Sequence, residues 1–137
     1  MQEERLYLKN KPLIVVVDDD QSVREALENL ISSVGFEVIL FASAEEFLDS
    51  DTTLQTDCAI LDVRLPGISG PELQQRLAAD GQSIPIIIIT AQGDDKTQDE
   101  AVAAGAIAFL KKPVREEVLL AALESALKRK TNEQVPS

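Results

Sequence analysis

Four runs of apolar residues each end in a residue suited to phosphate or metal chemistry, and this pattern constrains the fold more than any other feature. Ile14–Val17 leads into Asp18-Asp19-Asp20, and Cys58–Leu61 leads into Asp62. Ile86–Ile89 leads into Thr90, and Ile107–Leu110 into Lys111-Lys112-Pro113. Continuous β-branched runs of this length mark strands of a parallel sheet covered on both faces. In such open α/β sheets the ligand site lies just outside the carboxyl ends of the strands. Carboxylates, a hydroxyl and an ammonium from distant parts of the chain are therefore expected to meet at one sheet edge. That set of groups suits magnesium-assisted phosphoryl chemistry.

Helical patterns fill the intervals. Ser22 to Val34 places Val23, Ala26, Leu27, Leu30, Ile31 and Val34 at helical spacing, and Gly35 is placed to end that helix. Phe36–Phe41 reads as a further strand. Ser43-Ala44-Glu45-Glu46 and Ser69-Gly70-Pro71-Glu72 are capping boxes, predicting helices to about Leu48 and Ala79. A strand is predicted over Ile84–Thr90, a helix over Thr97–Ala104, and a last helix from Arg115 to about Lys130. In that helix Glu116 and Glu117 come early and Lys128, Arg129 and Lys130 late, matching the helix dipole. Strand–helix units repeated about five times predict an α/β fold: a five-stranded parallel, doubly wound sheet with helices on both faces. Residues 1–11 read as a polar lead-in, 12–130 as one domain, and 131–137 as a linker stub.

Composition narrows the function classes. The 137 residues suit one core. There is no histidine, which removes Ser-His-Asp triads, histidine general bases and the commonest transition-metal ligand. The formal net charge of −11 repels phosphate backbones, so direct nucleic-acid binding by this segment is not expected. The single cysteine, Cys58, lies inside an apolar run and reads as a small buried hydrophobe; with no disulfide framework, a cytoplasmic setting is expected. No apolar run reaches the roughly 18 residues of a membrane span, and no signal-peptide pattern opens the chain.

Taken singly, most of the site residues have plain readings. Asp20 suits a helix N-cap. Asp18 and Asp19 gain meaning only when Asp62 arrives beside them from another strand, since a hard cation wants several carboxylate oxygens. Thr90 is either a β-branched strand end or a hydroxyl donor to a phosphoryl oxygen. Strand alternation lets only one of Lys111 and Lys112 point inward. A lysine there would pair with Asp62 at rest and with phosphoryl oxygens after transfer. A cis Lys112–Pro113 bond would fix the turn that aims Lys112.

Over roughly Pro12 to Lys130 the chain resembles the receiver domain of bacterial two-component response regulators. The likeness is carried by Val17-Asp18-Asp19-Asp20-Gln21-Ser22-Val23-Arg24, by Ile60 to Gly70 around Asp62, by Ile89-Thr90-Ala91, and by Gly105 to Pro113. Phe41 to Leu48 and Thr90-Ala91-Gln92-Gly93-Asp94 look most like the FixJ-like branch, whose members usually carry a DNA-binding helix-turn-helix. The resemblance implies a flavodoxin-like fold and Asp62 as phosphoacceptor from a sensor histidine kinase. It implies Mg2+ (or Mn2+) held by Asp19, Asp62 and the Arg64 backbone carbonyl, with Asp18 acting largely through water. Thr90 and Lys112 would bind the phosphoryl oxygens, and Phe109 would be the switch aromatic. Arg64 and Gln92 would lie where variable residues modulate dephosphorylation. Phosphorylation would favour a homodimer through the last two helices and the last strand. The domain would catalyse only its own phosphorylation and slow dephosphorylation; it would be either a stand-alone receiver or a piece excised from a longer regulator, controlling an output DNA-binding domain not present in this chain. A rival reading is a magnesium phosphohydrolase with an aspartyl intermediate. Such enzymes commonly place a second aspartate two residues after the nucleophile, where this chain has Arg64.

Overall fold

A computed structural model describes residues 11–91 and 95–134. Its elements run β1 (Leu13–Val17), α1 (Gln21–Ser33), β2 (Glu37–Phe41), α2 (Ala44–Asp49) and, after a short 3-10 turn, β3 (Cys58–Asp62). The remainder is α3 (Gly70–Ala79), β4 (Ile86–Thr90), α4 (Asp95–Ala103), β5 (Ala108–Lys111) and α5 (Glu116–Gln134). The five strands form one parallel sheet in the order β2-β1-β3-β4-β5. The α/β doubly wound architecture is the one the alternation predicts, and its flavodoxin-like form is the one the resemblance implies.

Strand alternation divides the core in two. Val15, Val17, Ala59, Leu61, Ile86 and Ile88 face one side, where Phe47 of α2, Leu73 and Leu77 of α3 and Ala101 of α4 cover them. Ile14, Val16, Cys58, Ile60, Ile87 and Ile89 face the other, under Leu27 and Ile31 of α1 and Leu119 and Leu123 of α5. β1, β3 and β4 are buried along their whole lengths, as parallel strands with two covered faces must be. β5 differs from the expectation: it is a sheet edge, and its residues are only partly buried.

Caps fall where the sequence puts them. Asp20 caps α1, accepting the Ser22 and Val23 N–H groups at 2.8 and 3.3 Å. Ser43 and Ser69 cap α2 and α3 through the N–H groups of Glu46 and Glu72, each at 3.2 Å. The end of α5 is a correction. It continues to Gln134, because nothing before Pro136 breaks a helix. Lys128–Lys130 therefore lie short of the last turn, where dipole complementarity would act. The polar stretch from 131 is helical through 134, while residues 1–10 and 135–137 lie outside the described residues.

The chain direction reverses its winding between β1 and β3, since β2 lies on one side of β1 and β3 on the other. A crevice at such a switch point opens beyond the carboxyl ends of the two strands. Asp18 and Asp62 are the residues placed there.

Candidate functional site

Register brings the carboxylates together. Val17 pairs with Leu61, so Asp18 and Asp62 leave β1 and β3 side by side. One carboxylate oxygen from each of Asp18, Asp19 and Asp62 lies within 4.8 Å of the others. Asp18 is fully buried, Asp62 nearly so, and Asp19 is exposed. The loop that holds Asp18 is pinned from three directions. Its N–H donates to the Phe41 carbonyl at 3.1 Å. Its Oδ1 accepts the Asp20 N–H at 2.9 Å, and its carbonyl accepts Arg24 Nη1 at 2.7 Å.

Lys112 completes the cluster. Its Nζ stands 2.9 Å from Asp18 Oδ2 and 3.3 Å from Asp62 Oδ2. Its backbone N–H donates to the Thr90 carbonyl at 2.7 Å, and the Lys112–Pro113 bond is cis. Lys111 points to solvent, so the alternation argument selects Lys112. Thr90 is buried at the end of β4, one residue beyond the Ile89 that pairs with Asp62.

Charge in the pocket is unbalanced. Burial first, then the Asp18 charge, pushes the Asp62 carboxyl above the ordinary aspartate value, while Lys112 and the Arg64 N–H pull it back. Burial alone would lower the Lys112 ammonium, but Asp18 and Asp62 outweigh it and hold that ammonium above the ordinary lysine value. Asp18 Oδ2 is buried, and its partner is the Lys112 ammonium at 2.9 Å. Three carboxylates facing one ammonium leave a formal charge of −3 + 1 = −2. That excess of negative charge on clustered carboxylate oxygens fits a hard divalent cation.

Close backbone packing sharpens the geometry. A Cβ on Gly70 would collide with the Asp62 carbonyl oxygen, so only glycine lets α3 start against the end of β3. Gly70 N–H donates to the Val63 carbonyl at 3.2 Å, closing the loop that carries Arg64. The Arg64 side chain is exposed, and its N–H donates to Asp62 Oδ1 at 3.4 Å.

The structure thus gathers Asp18, Asp19, Asp62 and Lys112, with Arg64 and Thr90 adjoining. Phe109 lies elsewhere, part-buried against the cluster that contains Leu61, Ile88 and Ala101. Gln92 lies outside the described residues. Arg24 and Gly70 were read only as parts of longer motifs. Their individual contacts depend on the folding back of separate segments, which no spacing rule reveals.

A buried acidic pocket with one lysine, at the carboxyl edge of a doubly wound sheet, defines a class rather than a single protein. Residues 14–124 match the response regulator receiver domain, and the chain belongs to that family. It is 48% identical over 116 residues to response regulator protein TmoT of Ectopseudomonas mendocina, covering 85% of this chain and 53% of TmoT. It is 41% identical over 122 residues to transcriptional regulatory protein FixJ of Bradyrhizobium diazoefficiens, covering 89% of this chain and 60% of FixJ. The solved structure of response regulator StyR superposes with a TM-score of 0.84 at 48% identity, over 90% of this chain and 63% of StyR. The chain spans about half the length of the curated relatives it matches. Among the described residues, no helix is long and apolar enough to cross a membrane.

Proposed function

We propose that Asp62 accepts a phosphoryl group from a phosphohistidine on a sensor histidine kinase. The observation that carries this reading is the clustering of Asp18, Asp19 and Asp62, with Lys112 paired to Asp18 and Asp62. In the transfer, an Asp62 carboxylate oxygen attacks phosphorus; the P–O bond forms as the P–N bond to imidazole breaks, and the imidazole leaves. Asp18, Asp19, Asp62 and the Arg64 carbonyl would hold Mg2+ (or Mn2+). When bound, that ion neutralises the incoming phosphoryl oxygens and orients them for in-line attack.

The chain's own residues do the rest. Lys112 pairs with Asp18 and Asp62 at rest and turns to the phosphoryl oxygens after transfer. Thr90 donates its hydroxyl to the same group. Thr90 movement opens space for Phe109, already part-buried, to turn further inward. An apolar groove of about 440 Å3, lined by Val23, Ala26, Leu27, Pro113 and Val114, opens beside Lys112 and gives the phosphohistidine-bearing protein a surface next to the acceptor.

Population shift links this chemistry to output, because the phosphoryl group stabilises one state over the other. Homodimerisation uses the face of α4, β5 and α5, where Val102 and Val118 are exposed. The output under its control is a DNA-binding domain, within a cytoplasmic regulator. The receiver itself is not an enzyme on separate substrates; it promotes only its own phosphorylation and slow dephosphorylation. The receiver spans 12–130, with 131–137 leading to the next segment.

Beryllofluoride with magnesium tests the reading. Amide spectra should shift at Thr90, Phe109 and Lys112 in the wild type and stay unchanged in Asp62→Asn. An equal response in Asp62→Asn refutes Asp62 as acceptor.

A further inference from the structure

We infer that Glu45, in the first turn of α2, is a positioning residue that sets the β3–α3 loop against the metal-binding end of the site; this rests on the phosphoacceptor reading. Glu45 Oε2 accepts the Ile68 N–H at 3.2 Å, joining segments 23 residues apart. A carboxylate accepting a backbone N–H forms a charge-assisted bond, about twice as strong as a neutral one. The same carboxylate fills the space that a side chain at position 67 would need. Gly67 has φ +76°, so the turn closes directly onto Glu45. The loop runs from Arg64, whose carbonyl is a proposed ligand of the ion, to Ser69, the cap of α3.

The post to which the loop is tied is rigid. Ala44 and Phe47 of α2 are fully buried, and the Phe47 ring lies 5.3 Å from that of Phe41. Phe41 in turn accepts the Asp18 N–H at 3.1 Å. One corner of the fold, where β2 turns into α2, therefore bonds both the loop after β1 and the β3–α3 loop. It reaches Asp18 through Phe41 and the β3–α3 loop through Glu45. These two hydrogen bonds tie the loop after β1 and the loop that carries Arg64 to one corner. Glu45 is not itself among the clustered carboxylates. Its influence on the ion passes through the backbone it holds, as outer partners of metal ligands commonly act.

Magnesium titrated into the 137-residue chain, followed by amide spectra alongside thermal unfolding, tests this with wild type, Glu45→Ala and Glu45→Gln. Gln keeps the acceptor and removes the charge. We expect Glu45→Ala to raise the magnesium dissociation constant by up to about tenfold, the equivalent of one hydrogen bond to a charged group at about 1.4 kcal/mol. Glu45→Gln should recover about half of that loss, since a neutral acceptor bonds about half as strongly, and keep the Ile68 amide resonance near its wild-type position. Unchanged magnesium affinity in Glu45→Ala, even with lowered thermal stability, overturns the inference. So does an equal loss in both variants, which charge alone would produce. If the wild type binds no magnesium, the phosphoacceptor reading fails first and the inference with it.

Discussion

Asp62 sits in a site that disfavours its charge. Its carboxyl is held above the ordinary value by burial and then by Asp18. For a group raised in the folded state, the stabilising contribution is present below the unfolded value and disappears as pH rises through the folded one. Ionised Asp62 therefore destabilises the ion-free protein at neutral pH. Chemical denaturation in magnesium-free buffer should find Asp62→Asn more stable than wild type at pH 7. Its advantage should grow as pH rises from about 3.8 through the folded value and then level off. The opposite change is expected at Lys112. Removing it strands the fully buried Asp18, and Lys112→Ala should cost about 3 kcal/mol, the lower end for a broken buried pair because the Lys112 side chain is 21% exposed. Asp18, Asp62 and Lys112 were legible in sequence because each follows an apolar run. Glu45 was not, since its partner lies 23 residues away in a turn.

Among the elements, the strands were the most legible, because β1, β3 and β4 are buried on both faces and carry unbroken apolar runs. Helix starts were equally plain: side-chain oxygens of Asp20, Ser43 and Ser69 satisfy N–H groups that the helices leave open. The end of α5 was less so. A polar stretch without glycine or proline reads as a linker, yet it can extend a helix already nucleated by Leu119 and Leu123 packing. The start of α3 yields a sharp prediction. Gly70→Ala places a methyl group against the Asp62 carbonyl, and backbone cannot move aside as a flexible side chain does. Urea unfolding should register a loss of about 2 kcal/mol, and phosphorylation should slow because Asp62 is displaced with it. Full stability in Gly70→Ala would mean that α3 does not seat as described.

At the scale of the molecule, two distant halves of the chain meet at one edge of the sheet, and a charge change there must reach a surface elsewhere. Phe109 is the proposed link, part-buried against the core cluster that contains Ile88 of β4 and Ala101 of α4. Sedimentation should find the beryllofluoride–magnesium form shifted toward dimer relative to the untreated chain, and the Asp62→Asn variant unshifted at equal concentration. With a net charge of −11, self-association is opposed by repulsion and should strengthen as salt is added.

The transfer itself offers the most direct test. Purified chain incubated with acetyl phosphate and magnesium, then analysed by intact mass and peptide mapping, should gain one phosphoryl group on the peptide that contains Asp62. Chelation of the magnesium, or the Asp62→Asn substitution, should abolish that gain. A phosphoryl group mapped to any other residue, or retained in Asp62→Asn, would contradict the assignment of Asp62 as acceptor.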